Sequence, residues 1–189
     1  MSESTSTVLP LLALSAATFT TVSAEMMPTG VLDQLSTSLS VANSTAGLLV
    51  TVWAMTIAVT GVPFVRATIR WPRRRLVLVS LGTMSTANVL TAVAPHFAFA
   101  LVSRVIGAMA HGIFWAVIVA FAATLVPHER AGKALSVVLA GPTLANLVSL
   151  PAGAAMAHSI GWRATFVVLA VACAMCVVVI ALVIPPEYR

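Results

Sequence analysis

The ten residues "RATIRWPRRR", from Arg66 to Arg75, decide how this 189-residue sequence is interpreted. They contain five of the ten Lys and Arg residues of the chain, and a long apolar run lies on each side of them. A basic segment of this kind suits a nucleic-acid contact, a solvated surface segment or a polar loop at the edge of a membrane. The composition of the rest of the chain distinguishes these three roles.

The whole chain is too apolar for a soluble domain. It is 60% hydrophobic and 8% charged, with a mean hydropathy of +1.05, whereas an average soluble domain is about 25% charged. A soluble fold of this size still leaves about 30% of the surface of its unfolded chain in contact with water. A chain with so few charged residues has too little polar surface to cover that area. A nucleic-acid interface would also spread its basic residues over a solvated face. We therefore expect an all-α protein in a lipid bilayer, with no nucleic-acid partner.

Six segments are long enough to cross a membrane, since a spanning helix needs about 20 mostly apolar residues. None shows the sustained alternation of a barrel strand, and backbone groups in lipid must be satisfied within the segment. The sequence therefore predicts a single six-helix transmembrane domain over residues 1–189. Its helices are expected at residues 8–29, 45–65, 76–94, 98–126, 134–157 and 164–184.

The first of these segments contains "TVSA" at residues 21–24, which resembles a signal-peptidase site. A signal peptide needs a positively charged leading region. The leading "MSESTST" contains Glu3 and neither Lys nor Arg. We therefore expect the first segment to be a retained helix.

The basic residues also predict the orientation of the helices. If six helices alternate in direction, one side receives all of the following residues: Arg66, Arg70, Arg73, Arg74, Arg75, Arg130, Lys133 and Arg189. The loops on the other side contain only Arg163. Because cytoplasmic loops are enriched in Lys and Arg, both termini and the Arg-rich loop are expected to be cytoplasmic in a multi-pass protein of the cell (inner or plasma) membrane. The loop would set this topology and contact anionic head groups.

A short internal similarity suggests a repeat. "IRWPRRRLVLV" from Ile69 resembles "IGWRATFVVLA" from Ile160, and a proline-containing stretch precedes each copy, at residues 60–65 and 149–154. Helices one to three and four to six would then be two copies of a unit with three helices. Because three is odd, the second copy is inverted in the membrane. Inverted repeats are common in secondary transporters, which bind substrate near the midplane.

Three ionisable residues fall inside the predicted helices: Glu25, Arg104 and His111. Each costs at least about 2.5–3.5 kcal/mol at a helix centre, so a functional role is the first hypothesis. Glu25 and Arg104 lie at similar depth, so a pair between them is geometrically possible, and His111 lies about two turns deeper. Such a carboxylate can load and release a proton as its surroundings alternate, and His111 can relay it. A fixed ion pair, with His111 held in packing, is the alternative.

Further polar and aromatic residues are candidates for lining a substrate cavity. They are Thr18, Thr21, Trp53, Asn88, Trp115, Thr143 and Asn146. Interhelical hydrogen bonding and simple packing are the alternatives for these side chains. Cys173 and Cys176 are expected to be packing residues. No nucleophile–base set, metal cluster or phosphate loop occurs in the sequence, so neither an enzyme activity nor a cofactor is predicted.

Four stretches resemble the N-terminal half of a major facilitator superfamily transporter of the drug and sugar efflux branch, which includes chloramphenicol-resistance and arabinose-efflux-like permeases. They are "AEMMPTGVLDQL" at 24–35, "RWPRRRLVL" at 70–78, "SRVIGAMAHGIF" at 103–114 and "GPTLANLVSLPAGAAMAHSIGWRATF" at 141–166. The resemblance implies proton-coupled efflux of a small amphipathic molecule such as a drug or sugar. Arg104 matches the arginine in helix four that is associated with proton transfer in the family's antiporters. Glu25 matches an acidic residue in helix one, and Gly141 and Pro142 lie near the antiporter motif.

The chain also departs from that family pattern. Val65 and Ile69 stand where the motif between helices two and three has glycine and aspartate, and Pro72 replaces a second glycine. The family has twelve helices, so we expect either a fragment or a natural half that works with a C-terminal half or a second copy. The alternative function is a transport-incompetent six-helix structural or regulatory membrane protein.

Overall fold

A computed structural model describes residues 2–68 and 70–185, and these residues form helices joined by short turns. The helices are α1 (Ser2–Gly30), α2 (Leu32–Ser38), α3 (Asn43–Thr68), α4 (Arg73–Ala92), α5 (Phe97–Thr124), α6 (Ala131–Ile160) and α7 (Trp162–Val183), with a 3-10 turn at His128–Arg130. Each predicted segment corresponds to one long helix, and the ends differ by a few residues. The short helix α2 and the 3-10 turn were not predicted.

Five helices of the described chain are long and apolar enough to cross a membrane: α1 from Val8, α3, α5, α6 together with the preceding 3-10 turn, and α7. The helix α4 occupies the place of the third predicted span and has 20 residues. Three arginines open it, and the polar Asn88 lies in its C-terminal half. A sixth spanning helix at α4 therefore stays a prediction.

The long helices pack in a fixed set of pairs. The helix α1 packs along α6, α4 packs between α5 and α7, and α3 packs against α5. One apolar core lies around Leu35 and Phe166, and a second lies around Leu14 and Phe121. In the expected repeat, α1 corresponds to α5 and α3 corresponds to α6. The contact between α1 and α6 therefore has its counterpart in the contact between α5 and α3. This pairing is compatible with the expected inverted repeat, which remains a prediction.

A row of mostly small residues lets α1 and α6 approach closely. The buried residues of α6 recur every three or four positions: Ala134, Val138, Gly141, Ala145, Ser149, Gly153 and Ala157. A Cβ atom at Gly141 would collide with the Ser15 carbonyl and the Thr18 hydroxyl of α1, and the Ser23 and Ser149 hydroxyls lie 2.6 Å apart. Gly141 thus permits the close contact that small residues give membrane helices.

Arginine side chains connect the helix ends at both ends of the bundle. Arg74 of α4 donates through Nε to the Ile184 carbonyl at 2.6 Å and through Nη2 to the Ala181 carbonyl at 2.8 Å. Arg163 of α7 donates to the Ala92 and Ala94 carbonyls, both at 2.8 Å. The start of α4 therefore lies beside the end of α7, and the start of α7 lies beside the end of α4.

The Arg-rich loop lies at the first of these two ends. Arg73 donates to the Ala120 carbonyl of α5 at 3.2 Å, whereas Arg66, Arg70 and Arg75 are exposed. The cytoplasmic orientation of this end stays a prediction. Ile69, on which the repeat and the loop motif partly depend, lies outside the described residues, as does Arg189.

Candidate functional site

A polar cluster lies inside the bundle where α1, α3 and α5 meet. It consists of Glu25 from α1, Trp53 from α3, and Arg104 and His111 from α5. Arg104 is 1% exposed and His111 is 4% exposed, whereas the side chain of Glu25 is 25% exposed. Two buried basic groups thus lie beside one carboxylate that is still partly accessible.

The Arg104 guanidinium is bound by backbone and by an aromatic face. Its Nη1 donates to the Ala24 carbonyl at 3.0 Å, and its Nη2 donates to the Glu25 carbonyl at 3.1 Å. Its Cζ lies 3.9 Å from the centre of the Trp53 ring, within the range of a cation–π contact. Arg104 therefore connects α5 to both α1 and α3.

The Glu25 carboxylate contacts His111. Its Oε2 lies 3.4 Å from His111 Nε2, within the distance of an ion pair when the imidazole is protonated. The Arg104 guanidinium, the other possible partner of this carboxylate, is instead bound to carbonyl oxygens of α1. His111 is two turns from Arg104 along α5, a rise of about 10 Å, and the Glu25 and His111 side chains together bridge this difference in level. Side chains on a helix lean toward its N-terminus, so in the antiparallel α1 and α5 the Glu25 and His111 side chains lean toward each other.

Several buried polar atoms of this cluster have no hydrogen-bond partner among the described protein atoms. They are Trp53 Nε1, Arg104 Nε and His111 Nδ1. Buried polar groups normally have a partner. Two of these atoms are donors only, and His111 Nδ1 can donate or accept. The cluster can therefore bind a group that offers acceptor oxygens, and it can exchange a proton through the imidazole.

Four of the other predicted cavity residues lie at this cluster or are buried within the bundle. The Trp115 ring lies 6.1 Å from that of His111. Thr18 and Thr21 are buried. Thr18 Oγ1 lies 2.8 Å from both the Ser15 carbonyl of its own helix and the Val138 carbonyl of α6, and Thr21 donates to the Thr18 carbonyl. Asn88 is buried and donates to Cys173 Sγ of α7 at 3.9 Å.

Two predicted cavity residues lie on the outside of α6. Thr143 and Asn146 are exposed, and Thr143 donates to the Leu139 carbonyl of its own helix. The structure therefore brings Trp53 and Trp115 to the Glu25 cluster and places Thr143 and Asn146 on a free face of this chain.

The roles of two residues in this site were not predicted from the sequence. Gly107 of α5 makes room for Trp53, because a Cβ atom at this position would lie 2.9 Å from Trp53 Cζ3. Pro28 follows Ala24 by four residues, so it removes the N–H that would bond the Ala24 carbonyl. The signal for Pro28 was present in "AEMMP", whereas nothing in the sequence connects Gly107 to Trp53.

Comparison with known proteins agrees with this architecture. The model of the Major Facilitator Superfamily matches residues 14–189. A chloramphenicol efflux pump of Mycobacterium tuberculosis is 41% identical over 150 residues, which cover 79% of this chain and 36% of the pump. A chloramphenicol resistance protein of Streptomyces lividans is 36% identical over 166 residues, which cover 87% of this chain and 42% of that protein. This chain thus spans about two fifths of the curated relatives it matches.

Solved structures resemble the fold over nearly the whole chain. A bacterial homolog of the human lysosomal transporter Spinster, in an inward-facing conformation, matches with a TM-score of 0.84 at 17% identity, over 97% of this chain and 44% of the homolog. The xylose transporter XylE from E. coli, in a partially occluded inward-open conformation, matches with a TM-score of 0.76 at 17% identity, over 96% of this chain and 50% of XylE. At these identities the likeness concerns the fold alone.

Proposed function

Because this chain belongs to the Major Facilitator Superfamily, we propose that it forms part of a secondary transporter that exports a small amphipathic molecule in exchange for protons. The observation that carries this proposal is the contact between Glu25 and His111 beside the buried Arg104, inside two apolar helices. Charged groups in membrane helices are expensive and mark ion pathways. The family and the efflux-pump relatives point to a transporter and not to an enzyme.

In the proposed mechanism, a proton on Glu25 changes how tightly α1 and α5 are held together. An ionised carboxylate attracts a protonated His111 and the nearby Arg104, and this attraction is strong in a medium of low dielectric constant. A proton on the carboxylate removes that attraction and favours a different arrangement of the two helices. His111 passes the proton on, since its imidazole accepts and donates. Protonation thereby shifts the population between the conformations of the transporter.

The proposed substrate class follows from the relatives and from the aromatic side chains of the site. Two relatives are named for chloramphenicol efflux or resistance, so chloramphenicol is the first probe to use. Trp53 and Trp115 would contact its apolar ring, and the exposed Thr143 and Asn146 would face the pathway. A second six-helix unit, either a C-terminal half or another copy of this chain, would complete that pathway. The Arg-rich end would face the cytoplasm across the cell membrane.

Glu25→Gln tests the proposal in inside-out vesicles that contain the intact transporter. An imposed pH gradient should drive chloramphenicol uptake in the parent. In the variant the gradient-driven uptake rate should be lower by a factor of more than about ten. Exchange of substrate without a gradient should survive, because it needs no net proton transfer.

The matched control is Glu129→Gln, which makes the same chemical change at an exposed residue of the 3-10 turn. Its gradient-driven rate should equal that of the parent. A parental rate in Glu25→Gln would remove the proposed proton role of Glu25.

A further inference from the structure

Pro28 gives the site a hydrogen-bond acceptor that an ordinary helix would not offer. Proline has no backbone N–H, so the carbonyl four residues earlier, that of Ala24, receives no helical hydrogen bond from it. Ala24 is 0% exposed, and a buried carbonyl without a partner is costly. Arg104 Nη1 donates to this carbonyl at 3.0 Å. The cation of α5 thus satisfies a carbonyl that Pro28 leaves free in α1.

The neighbouring carbonyl completes the arrangement. Arg104 Nη2 donates to the Glu25 carbonyl at 3.1 Å, so the two terminal nitrogens of one planar guanidinium bind two successive backbone oxygens. The rigid fork of arginine suits such a pair of acceptors, whereas a lysine ammonium is a single point charge. The Trp53 ring covers the guanidinium at 3.9 Å. Arg104 is therefore directed to the backbone of α1, and the Glu25 carboxylate contacts His111.

We propose that Pro28 is a positioning residue of the coupling site: by freeing the Ala24 carbonyl, it holds Arg104 off the Glu25 carboxylate and leaves that carboxylate to exchange its proton through His111. The charged or titratable groups that face one another here are Glu25 from α1 and Arg104 and His111 from α5. The helix α3 contributes the uncharged Trp53. This inference rests on the proposed proton-coupling function. It assigns to Pro28 the control of how closely Arg104 approaches the Glu25 carboxylate.

Pro28→Ala tests the inference, since it restores an N–H that can bond the Ala24 carbonyl. The restored N–H then competes with Arg104 for the Ala24 carbonyl. The hold of the guanidinium on the backbone is weakened, and Arg104 can move toward the Glu25 carboxylate. Infrared titration of the intact protein in detergent reads the protonated carboxyl band of Glu25, which is assigned by its loss in Glu25→Gln. We expect the titration midpoint of this band to move by about half a pH unit or more in Pro28→Ala.

Two further variants separate positioning from a general effect of removing a proline. Pro63→Ala makes the same change at an exposed residue of α3, and its titration should coincide with that of the parent. Arg104→Lys keeps the charge but cannot bind two carbonyls with a planar fork, so its midpoint should move as well. Loss of folding is not expected in Pro28→Ala, because alanine is the better residue inside a helix.

The outcomes distinguish this inference from the proposed function. If the Pro28→Ala titration coincides with those of Pro63→Ala and the parent, the positioning role of Pro28 is overturned, whatever Glu25→Gln does to transport. If Glu25→Gln exports at the parental rate, the proposed function fails. The infrared titration still decides the role of Pro28 in that case, because it needs no transport.

Discussion

At the scale of single residues, Trp53 is the side chain through which α3 contacts the charged cluster. Its ring covers Arg104 and lies 5.4 Å from the ring of His111. Only Ala46, Leu49 and Trp53 of α3 are fully buried, so no residue of 54–68 is buried in this chain. The attachment of the middle of α3 to α5 therefore depends strongly on one indole and on the space that Gly107 leaves for it.

Gly107→Ala should destabilise the protein because the added Cβ atom would lie 2.9 Å from Trp53 Cζ3. Displacement of a packed ring by one extra carbon typically costs about 1–3 kcal/mol. Thermal unfolding in detergent measures the loss. Gly112→Ala is the matched control on the same helix, since its Cβ atom would meet only Ile57 Cγ2, at 4.0 Å. Equal melting temperatures for the two variants would show that the space beside Gly107 is not needed to pack the Trp53 ring.

At the scale of helices, one rule explains two contacts that hold α1 in place. Pro142 of α6 cannot bond the Val138 carbonyl, and Thr18 Oγ1 of α1 lies 2.8 Å from that oxygen. Pro28 of α1 cannot bond the Ala24 carbonyl, and Arg104 of α5 donates to it. Proline is tolerated inside membrane helices because a neighbouring helix can satisfy the freed carbonyl. Each proline thus specifies a contact with a particular neighbour.

A double-mutant cycle tests this rule at Thr18 and Pro142. Thr18→Val keeps the shape but leaves the Val138 carbonyl without its donor, so it should lower stability by about 1 kcal/mol. Thr18 Oγ1 also lies 2.8 Å from the Ser15 carbonyl, which has its own helical donor available. In a Pro142→Ala background the new N–H bonds Val138, and Thr18→Val should then cost close to nothing.

Thermal unfolding of the four proteins gives the coupling energy of the two positions. Additive effects of the two substitutions would show that Thr18 does not compensate for the proline.

The sequence predicted the helices of this fold better than it predicted their contacts. Length and hydropathy locate a membrane helix because the bilayer sets both, so the five helices that are long and apolar enough to cross a membrane were located close to their observed positions. The position of Glu25, Arg104 and His111 in one region followed from helix spacing. The pairing of Glu25 with His111 did not, because a proline-freed carbonyl competes for Arg104. The helix α2 was missed because seven residues carry too short a pattern.

At the scale of the whole molecule, Arg74 and Arg163 connect α4 and α7 reciprocally. Each arginine lies at the start of one helix and donates to carbonyls at the end of the other. Free carbonyls at a helix C-terminus favour a cation. The two contacts are related as the expected inverted repeat would relate them. They also explain why α4, with arginines in its first turn, lies beside the apolar α7.

The same contacts place most of the positive charge of the chain at one end of the bundle, and this predicts its orientation in the membrane. Arg73 and Arg74 bind the ends of α5 and α7 there, whereas α6 ends at the opposite end, beside the start of α7. Because Lys and Arg are retained on the cytoplasmic side, Ala67 at the end of α3 should face the cytoplasm. Ser159 at the end of α6 should face outward.

A membrane-impermeant maleimide applied to cells that carry single added cysteines tests this orientation. Ser159→Cys should be labelled in intact cells, and Ala67→Cys only after permeabilisation; both positions are exposed and neither substitution removes an arginine. The unsubstituted protein is the control, because Cys173 is buried and Cys176 is half-buried within α7. Since the contacts of Arg74 and Arg163 fix the two ends relative to each other, the two labels must exchange together if the orientation is reversed. Labelling of Ala67→Cys alone in intact cells would therefore contradict the predicted direction of the bundle.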